Sequence, residues 1–177
     1  IYYYIFNFKM KKQQDKKTEK LKVVSLFSGC WWLDLGFIKA WYDVIWANDF
    51  FPEAVETYKK NIWDHIVLWD ISKIPSSSIP NNFDILLWWF PCQGFSIANI
   101  KRSMEDERNF LYREMLRIVK DKQPAFFLAE NVKWLLSMHN WKVIEMIIND
   151  FKEIWYKVDY KLLNSADYWV PQQRERV

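Results

Sequence analysis

The chain has 177 residues, 51% of them apolar and 27% charged, with a net charge of +3. That is one domain's worth of a folded, full-cored chain, which excludes a wholly disordered polypeptide, and its weak positive charge permits an anionic partner without requiring one. Two cysteines of unlike context, Cys30 and Cys92, make no disulfide framework, so a reducing, cytoplasmic setting is expected.

Ile1 to Phe8 is aromatic and apolar, too short to span a bilayer and without the basic flank and cleavage site of a signal peptide. Met10 is read as the start, with the nine residues before it as upstream sequence. Lys11 to Lys20 is a charge-rich run expected as a solvated tail. Residues 1–21 are therefore taken as leader and tail, and residues 22–177 as one domain.

Lys22 to Phe27 reads as a strand, and Ser28-Gly29-Cys30 leads into a helical pattern through Leu33, Leu35, Phe37 and Ile38. Strand, tight loop and helix form a common cradle for phosphates or nucleosides, a weak signal alone. Asp43 to Ala47 is a second strand ending in Asn48-Asp49-Phe50, and an acid at such a tip is placed to bind ribose hydroxyls. Pro52 opens a helix through Ala54, Val55 and Tyr58. Ile66 to Leu68 with Asp70-Ile71 makes a third strand and turn, and a Ser/Pro loop spans Pro75 to Pro80.

Phe83 to Leu87 reads as a buried strand that delivers Phe90-Pro91-Cys92-Gln93-Gly94-Phe95-Ser96. Pro91 cannot continue the strand, so Cys92 is presented on a loop at the sheet edge, where open α/β sheets bind ligands. An unpaired cysteine near a core is equally often a small apolar residue, and this stretch alone does not decide between the two. Glu107 to Lys120 is a helical face that includes Leu111. Ala125 to Ala129 is expected as a buried strand, followed by Glu130-Asn131, and Val143 to Ile154 as a helix. Tyr156 to Leu163 alternates like a strand before Pro171 to Val177. Alternation of strands and helices predicts an α/β fold with a mostly parallel sheet and helices on both faces.

Five blocks stand in fixed order: Leu26-Phe27-Ser28-Gly29-Cys30, Pro91-Cys92-Gln93, Glu130-Asn131-Val132, Asn164 to Tyr168, and Gln173-Arg174-Glu175-Arg176. Together they resemble the cytosine-C5 DNA methyltransferases of bacterial type, over about Lys22 to Val177. The resemblance implies a Rossmann-like S-adenosylmethionine-dependent methyltransferase fold, S-adenosyl-L-methionine as cofactor, no metal, and double-stranded DNA with a flipped cytosine as partner. It also implies a monomer in the bacterial cytoplasm, away from the membrane. It implies either a cognate restriction endonuclease as genetic partner or a stand-alone methylase.

The chemistry accounts for the residue types. Cytosine C5 is a poor nucleophile, so in this family a cysteine thiolate adds to C6 and makes C5 able to attack the sulfonium methyl. Cys92 matches that nucleophile. Glu130 matches the acid that meets the charge developing on ring N3. Arg176 and Arg174 match the arginines that hold the cytosine O2 and brace the catalytic loop, and Asn131 supports the base or loop. By the same resemblance Phe27 packs on adenine, Asp49 binds ribose and Asp70 accepts from the adenine amino group. Ser28, Gly29, Cys30, Trp31, Trp32, Phe50, Ile71, Phe90, Pro91 and Leu111 complete the cofactor lining. Pro91, Gln93 and Ser96 belong to the loop that closes on DNA. Two alternatives stay open: the same reaction on tRNA, and a non-catalytic remnant that binds a nucleoside or a partner protein.

The chain departs from the family at its glycines. It has 3 Gly and 12 Trp, where ordinary usage predicts roughly a dozen glycines. The family has glycine at the positions of Trp31, Trp32, Trp88, Trp89, Trp134 and Trp169, while Trp41 and Trp155 stand where helices are expected to stop at a left-handed glycine. Only Trp46 reads as a comfortable tryptophan. Reading the others as glycine restores composition and motifs together, as expected for a gene whose UGA codons mean glycine but were translated as tryptophan. The resemblance further implies a target-recognition region beyond Val177, so the chain is expected to be a fragment, inactive with tryptophan at these positions.

Overall fold

Five short apolar runs pair side by side, all parallel, in the computed structural model, which describes residues 19–89, 111–138 and 141–177. The elements in chain order are β1 (Lys22–Leu26), α1 (Trp32–Lys39), β2 (Asp43–Asp49), α2 (Pro52–Asn61), β3 (Ile66–Leu68), β4 (Ile85–Trp89), α3 (Leu111–Lys122), β5 (Phe126–Glu130), α4 (Lys142–Glu153), β6 (Leu163–Asn164) and β7 (Glu175–Arg176). Short 3-10 turns lie at Ile71–Lys73, Ser76–Ser78, Lys133–Ser137 and Ser165–Tyr168. The sheet order is β3-β2-β1-β4-β5, and β6 and β7 form a separate antiparallel pair. The chain steps outward from β1 to β3, then returns to the other side of β1 for β4. That reversal opens a crevice at the carboxyl ends of β1 and β4, where such sheets bind ligands.

The central strands are apolar on both sides, as a parallel sheet covered by helices requires. Val24 and Leu26 of β1, with Leu86 and Trp88 of β4, join Met115, Ile118 and Val119 of α3 and Ile144, Ile147 and Phe151 of α4 in the main cluster. Val23, Ile85 and Leu87 point the other way and pack with Phe37 of α1. Tyr58 of α2 packs with Ala47 and Ile66. Pro52 stands at the first turn of α2, where its missing N–H costs nothing.

Three expectations need correcting. β5 is the edge of the five-stranded sheet, with Phe126 and Ala129 exposed, because strand order rather than composition decides which strand is sandwiched. Helix α1 buries Asp34 and Phe37 and leaves Ile38 exposed, so its inner face is rotated from the apolar reading. Tyr156 to Leu163 forms no strand before Leu163: Tyr156 and Val158 are half-buried, but residues 159–162 are all exposed. Tyr156 instead packs against Phe127 and donates its hydroxyl to the Pro124 carbonyl at 2.6 Å.

Left-handed backbone concentrates at tryptophan. Of the eight non-glycine residues with positive φ among the described residues, five are Trp31, Trp41, Trp141, Trp155 and Trp169. An L side chain at such a φ costs roughly 1–2 kcal/mol that glycine avoids. Trp155 and Trp169 are 93% and 98% exposed, so burial offsets none of it. Trp46 is half-buried, and Trp88 is wholly buried in the main cluster.

Candidate functional site

The turn between β1 and α1 is held from two sides. Phe27 and Gly29 have φ of 52° and 56°, and Trp31 reaches 113°. Ser28 N–H donates to the Asn48 carbonyl at 2.9 Å, and Gly29 N–H donates to Asp49 Oδ2 at 2.7 Å. The other Asp49 oxygen accepts from Phe51 N–H at 2.9 Å. Asp49, the acid expected at the ribose, thus lies at the tip of β2 with both oxygens on backbone amides, though each carboxylate oxygen has a second lone pair to offer. Phe50 beside it is 57% exposed, and Cys30 is exposed on the turn.

Beneath the turn, Asp34 is wholly buried. Its Oδ1 accepts from the Ser25 hydroxyl at 2.6 Å and its Oδ2 from the Tyr58 hydroxyl at 2.7 Å. Ser28 Oγ lies 3.0 Å from Ser25 Oγ, and Tyr58 Oη lies 2.9 Å from His65 Nε2. Burial raises the Asp34 carboxyl to about 6, against the pull of the Ser25, Tyr58 and Ser28 hydroxyls. Sequence reading missed this residue. An acid on the inner side of an otherwise apolar helix was the available signal.

Asp70 opens the 3-10 turn after β3, its Oδ1 accepting from both the amide and the hydroxyl of Ser72. Burial works against its charge, but those bonds and Lys73 outweigh burial and hold the carboxyl below its ordinary value. Ile71, expected as lining, is 2% exposed in the main cluster, and its carbonyl accepts from Arg117. Leu111 begins α3, half-buried. Phe27 lies 6.3 Å from Trp88, ring to ring.

Glu130 ends β5 directly opposite Trp89, the last residue of β4. Its Oε1 meets Arg176 Nε at 2.9 Å and Arg174 at 4.0 Å. Burial raises its carboxyl above the ordinary value, opposed by Arg176, Arg174 and a hydrogen bond from Trp89. The arginines reach Glu130 because the tail of the chain is pinned: Asn131 and Val177 exchange backbone bonds of 2.8 and 2.9 Å, and Lys133 pairs with Glu175 at 2.8 Å. Asn131 is buried, its Oδ1 accepting from Val132 N–H. A groove beside this cluster is lined by Val132, Lys133, Trp134, Gln172, Arg174 and Arg176.

Trp89 lies between the two halves. A Cβ on Gly29 would meet its ring at 3.2 Å, and its other contact is Glu130. The indole therefore occupies the crevice between the β1–α1 turn and the acid. Trp31 and Trp32 stack at 5.0 Å on the outer side of the same turn, with Trp32 75% exposed. Phe90, Pro91, Cys92, Gln93 and Ser96 lie outside the described residues.

Comparison with known proteins agrees with this geometry. The family model for C-5 cytosine-specific DNA methylase matches residues 21–177. The chain is 46% identical over 164 residues to the Type II methyltransferase M.NgoFVII of Neisseria gonorrhoeae, covering 92% of this chain and 44% of that protein. It is 45% identical to M.FnuDI of Fusobacterium nucleatum over 157 residues, covering 89% of this chain and 45% of that protein. Among solved structures, a DNA modification methyltransferase encoded within an Escherichia coli prophage superposes with a TM-score of 0.70 at 30% identity, over 89% of this chain and 45% of that one. The S. pombe Dnmt2 methyltransferase shares the fold with a TM-score of 0.72 at 21% identity, over 89% of this chain and 49% of that one. The chain spans about half the length of the relatives it matches.

Proposed function

We propose that this chain, which belongs to the C-5 cytosine-specific DNA methylase family, forms the catalytic half of an enzyme that methylates C5 of a flipped cytosine in DNA. The observation that carries this reading is Glu130, clamped by Arg176 at the end of β5, one strand over from the end of β4. In the sequence Cys92 follows three residues after Trp89, the last residue of β4. In this reading the nucleophile and the acid follow neighbouring strands and hold a pyrimidine between them.

Cys92 adds to C6 through its thiolate, which turns C5 into the nucleophile. Glu130 places a proton or hydrogen bond at N3, where the ring gathers negative charge, and its raised carboxyl suits that task. Arg176 and Arg174 hold the base at O2, and Asn131 steadies the loop. Loss of the C5 proton to solvent water then restores the C5–C6 double bond and breaks the C6–S bond, so that the thiolate leaves. S-adenosylmethionine, when bound, supplies the methyl group as an electrophile on its sulfonium sulfur. Asp49 and Asp70 fit its ribose and adenine amino groups, and the Gly29 amide edge fits close approach. Trp89 does not fit, since its indole lies against the Gly29 edge where the cofactor has to come near the backbone.

That misfit supports a second part of the reading: the natural protein carries glycine at every tryptophan except Trp46, its UGA codons being decoded as glycine. Three of the five left-handed tryptophans, Trp41, Trp141 and Trp155, lie outside the motif positions where the family has glycine and point the same way. The exchange raises the glycine count from 3 to 14, near ordinary usage. The tryptophan form is then expected to be inactive. A restriction endonuclease partner fits the Type II relatives.

A duplex carrying 5-fluorocytosine tests the mechanism. The glycine-decoded full chain should form a covalent adduct, Cys92→Ser should abolish it, and Glu130→Gln should slow it by about 10²–10⁴-fold. An adduct on tRNA alone, or on neither nucleic acid, defeats the DNA assignment.

A further inference from the structure

Asp34 touches none of the residues assigned to the reaction, yet its surroundings are built around it. It is 0% exposed, and each of its oxygens accepts from a different hydroxyl. One arm runs through Ser25 Oγ to Ser28 Oγ, the residue that precedes Gly29 in the β1–α1 turn. The other runs through Tyr58 on α2 to the half-buried His65. Each hydroxyl has one proton, so if Ser28 donates to Ser25, Ser25 to Asp34 and Tyr58 to Asp34, both arms point toward a carboxylate that accepts twice. A protonated Asp34 has to donate on one side: toward Ser25 it turns that hydroxyl round and sends the Ser28 hydroxyl to the Ser25 carbonyl, 3.2 Å away, and toward Tyr58 it turns the phenol to His65 Nε2.

The turn needs such support. Phe27 stands at φ 52° just before Ser28 and Gly29, and a non-glycine residue in that conformation persists only when its neighbours hold it. Asp49 grips the turn from the tip of β2 through Gly29 N–H, and Asp34 grips it from inside the fold through Ser25 and Ser28. We propose that ionised Asp34 is a positioning residue for S-adenosylmethionine, holding the Ser28-Gly29 turn in its binding shape through Ser25 while Tyr58 holds the carboxylate. This rests on the cofactor and glycine-decoding readings above.

The groups that act on Asp34 are hydroxyls: Ser25 from β1, Ser28 from the turn and Tyr58 from α2. The Tyr58 phenol is pushed above its ordinary range by burial and by Asp34 itself, so it remains a donor. Burial lowers the His65 imidazole, with Asp43 and Asp64 pulling it the other way. Asp34 itself titrates at about 6, within reach of a binding assay.

The test is S-adenosylmethionine affinity by calorimetry from pH 5 to pH 8, on the glycine-decoded full chain. Affinity should fall on the order of tenfold as the pH drops through about 6, the loss expected when a hydrogen bond to a charged group goes. Asp34→Asn should bind weakly at every pH and lose the dependence. Tyr58→Phe keeps the ring but removes a bond that stabilises the carboxylate, so its midpoint should move to higher pH; this variant decides the matter if Asp34→Asn does not fold. A parent that binds with a pH profile unchanged in both variants overturns the positioning role alone. A parent that binds no S-adenosylmethionine at any pH overturns the cofactor reading and the role with it.

Discussion

Two acids raised by burial, Asp34 and Glu130, show how one carboxyl group answers to different surroundings. Glu130 sits beside two arginines, and burial still wins, lifting its carboxyl above the ordinary range. Asp34 has only hydroxyls for company and is raised to about 6. Because the folded state holds that proton more tightly than the unfolded chain, Asp34 adds stability below its unfolded value of 3.8, and this contribution disappears as pH rises through about 6. The full difference is about 3 kcal/mol at about 1.4 kcal/mol per pKa unit. Urea unfolding of the parent should lose about 2 kcal/mol from this residue between pH 4.5 and 7.5, and Asp34→Asn should lack that component. Equal pH slopes in the two proteins would remove the assigned ionisation. A charge that weakens the fold at neutral pH fits a residue kept for what it positions.

At the level of elements, local signals were legible and neighbours were not. β1, β2 and α2 follow from alternation, an apolar run and Pro52 at the helix start. Nothing local could say that β5 lies on the edge, since strand order is a property of the whole sheet. The sequence alternation after Tyr156 was readable, but residues 159–162 are all exposed, since pairing needs a partner strand from elsewhere. The Glu130 cluster was legible through its motifs, whereas the contact of Trp89 with both Gly29 and Glu130 joins residues far apart in sequence. Left-handed helix stops were foreseen at Trp41 and Trp155, and both have positive φ. Single substitutions test that element: Trp155→Gly and Trp169→Gly, both at fully solvated sites, should each raise stability by about 0.5–1 kcal/mol in urea unfolding, the relief of a left-handed side chain less the freedom glycine adds to the unfolded chain. Trp88→Gly alone should do the opposite, because it empties a place in the main core. Loss of stability at Trp155 or Trp169 would mean the indoles make contacts that matter.

Summed over the molecule, these local costs become decisive. Exchanging the five left-handed tryptophans for glycine, at a net gain of about 0.5–1 kcal/mol each, amounts to about 2.5–5 kcal/mol, against a total stability of about 5–15 kcal/mol for an ordinary domain. A chain with every tryptophan in place should therefore be marginal, and its exposed indoles at Trp32, Trp41, Trp63, Trp155 and Trp169 offer apolar surface for self-association. The glycine-decoded chain removes the strain and opens the crevice between Gly29 and Glu130 in the same step, so stability and cofactor binding should rise together. Expressing both forms side by side decides it: the tryptophan form should aggregate or unfold at low urea and bind no S-adenosylmethionine, while the glycine form should unfold cooperatively and bind it. UGG codons at Trp31, Trp32 and Trp89, or equal stability and binding in the two forms, would leave the tryptophans as the protein's own. One change of decoding would then explain neither the backbone nor the crevice.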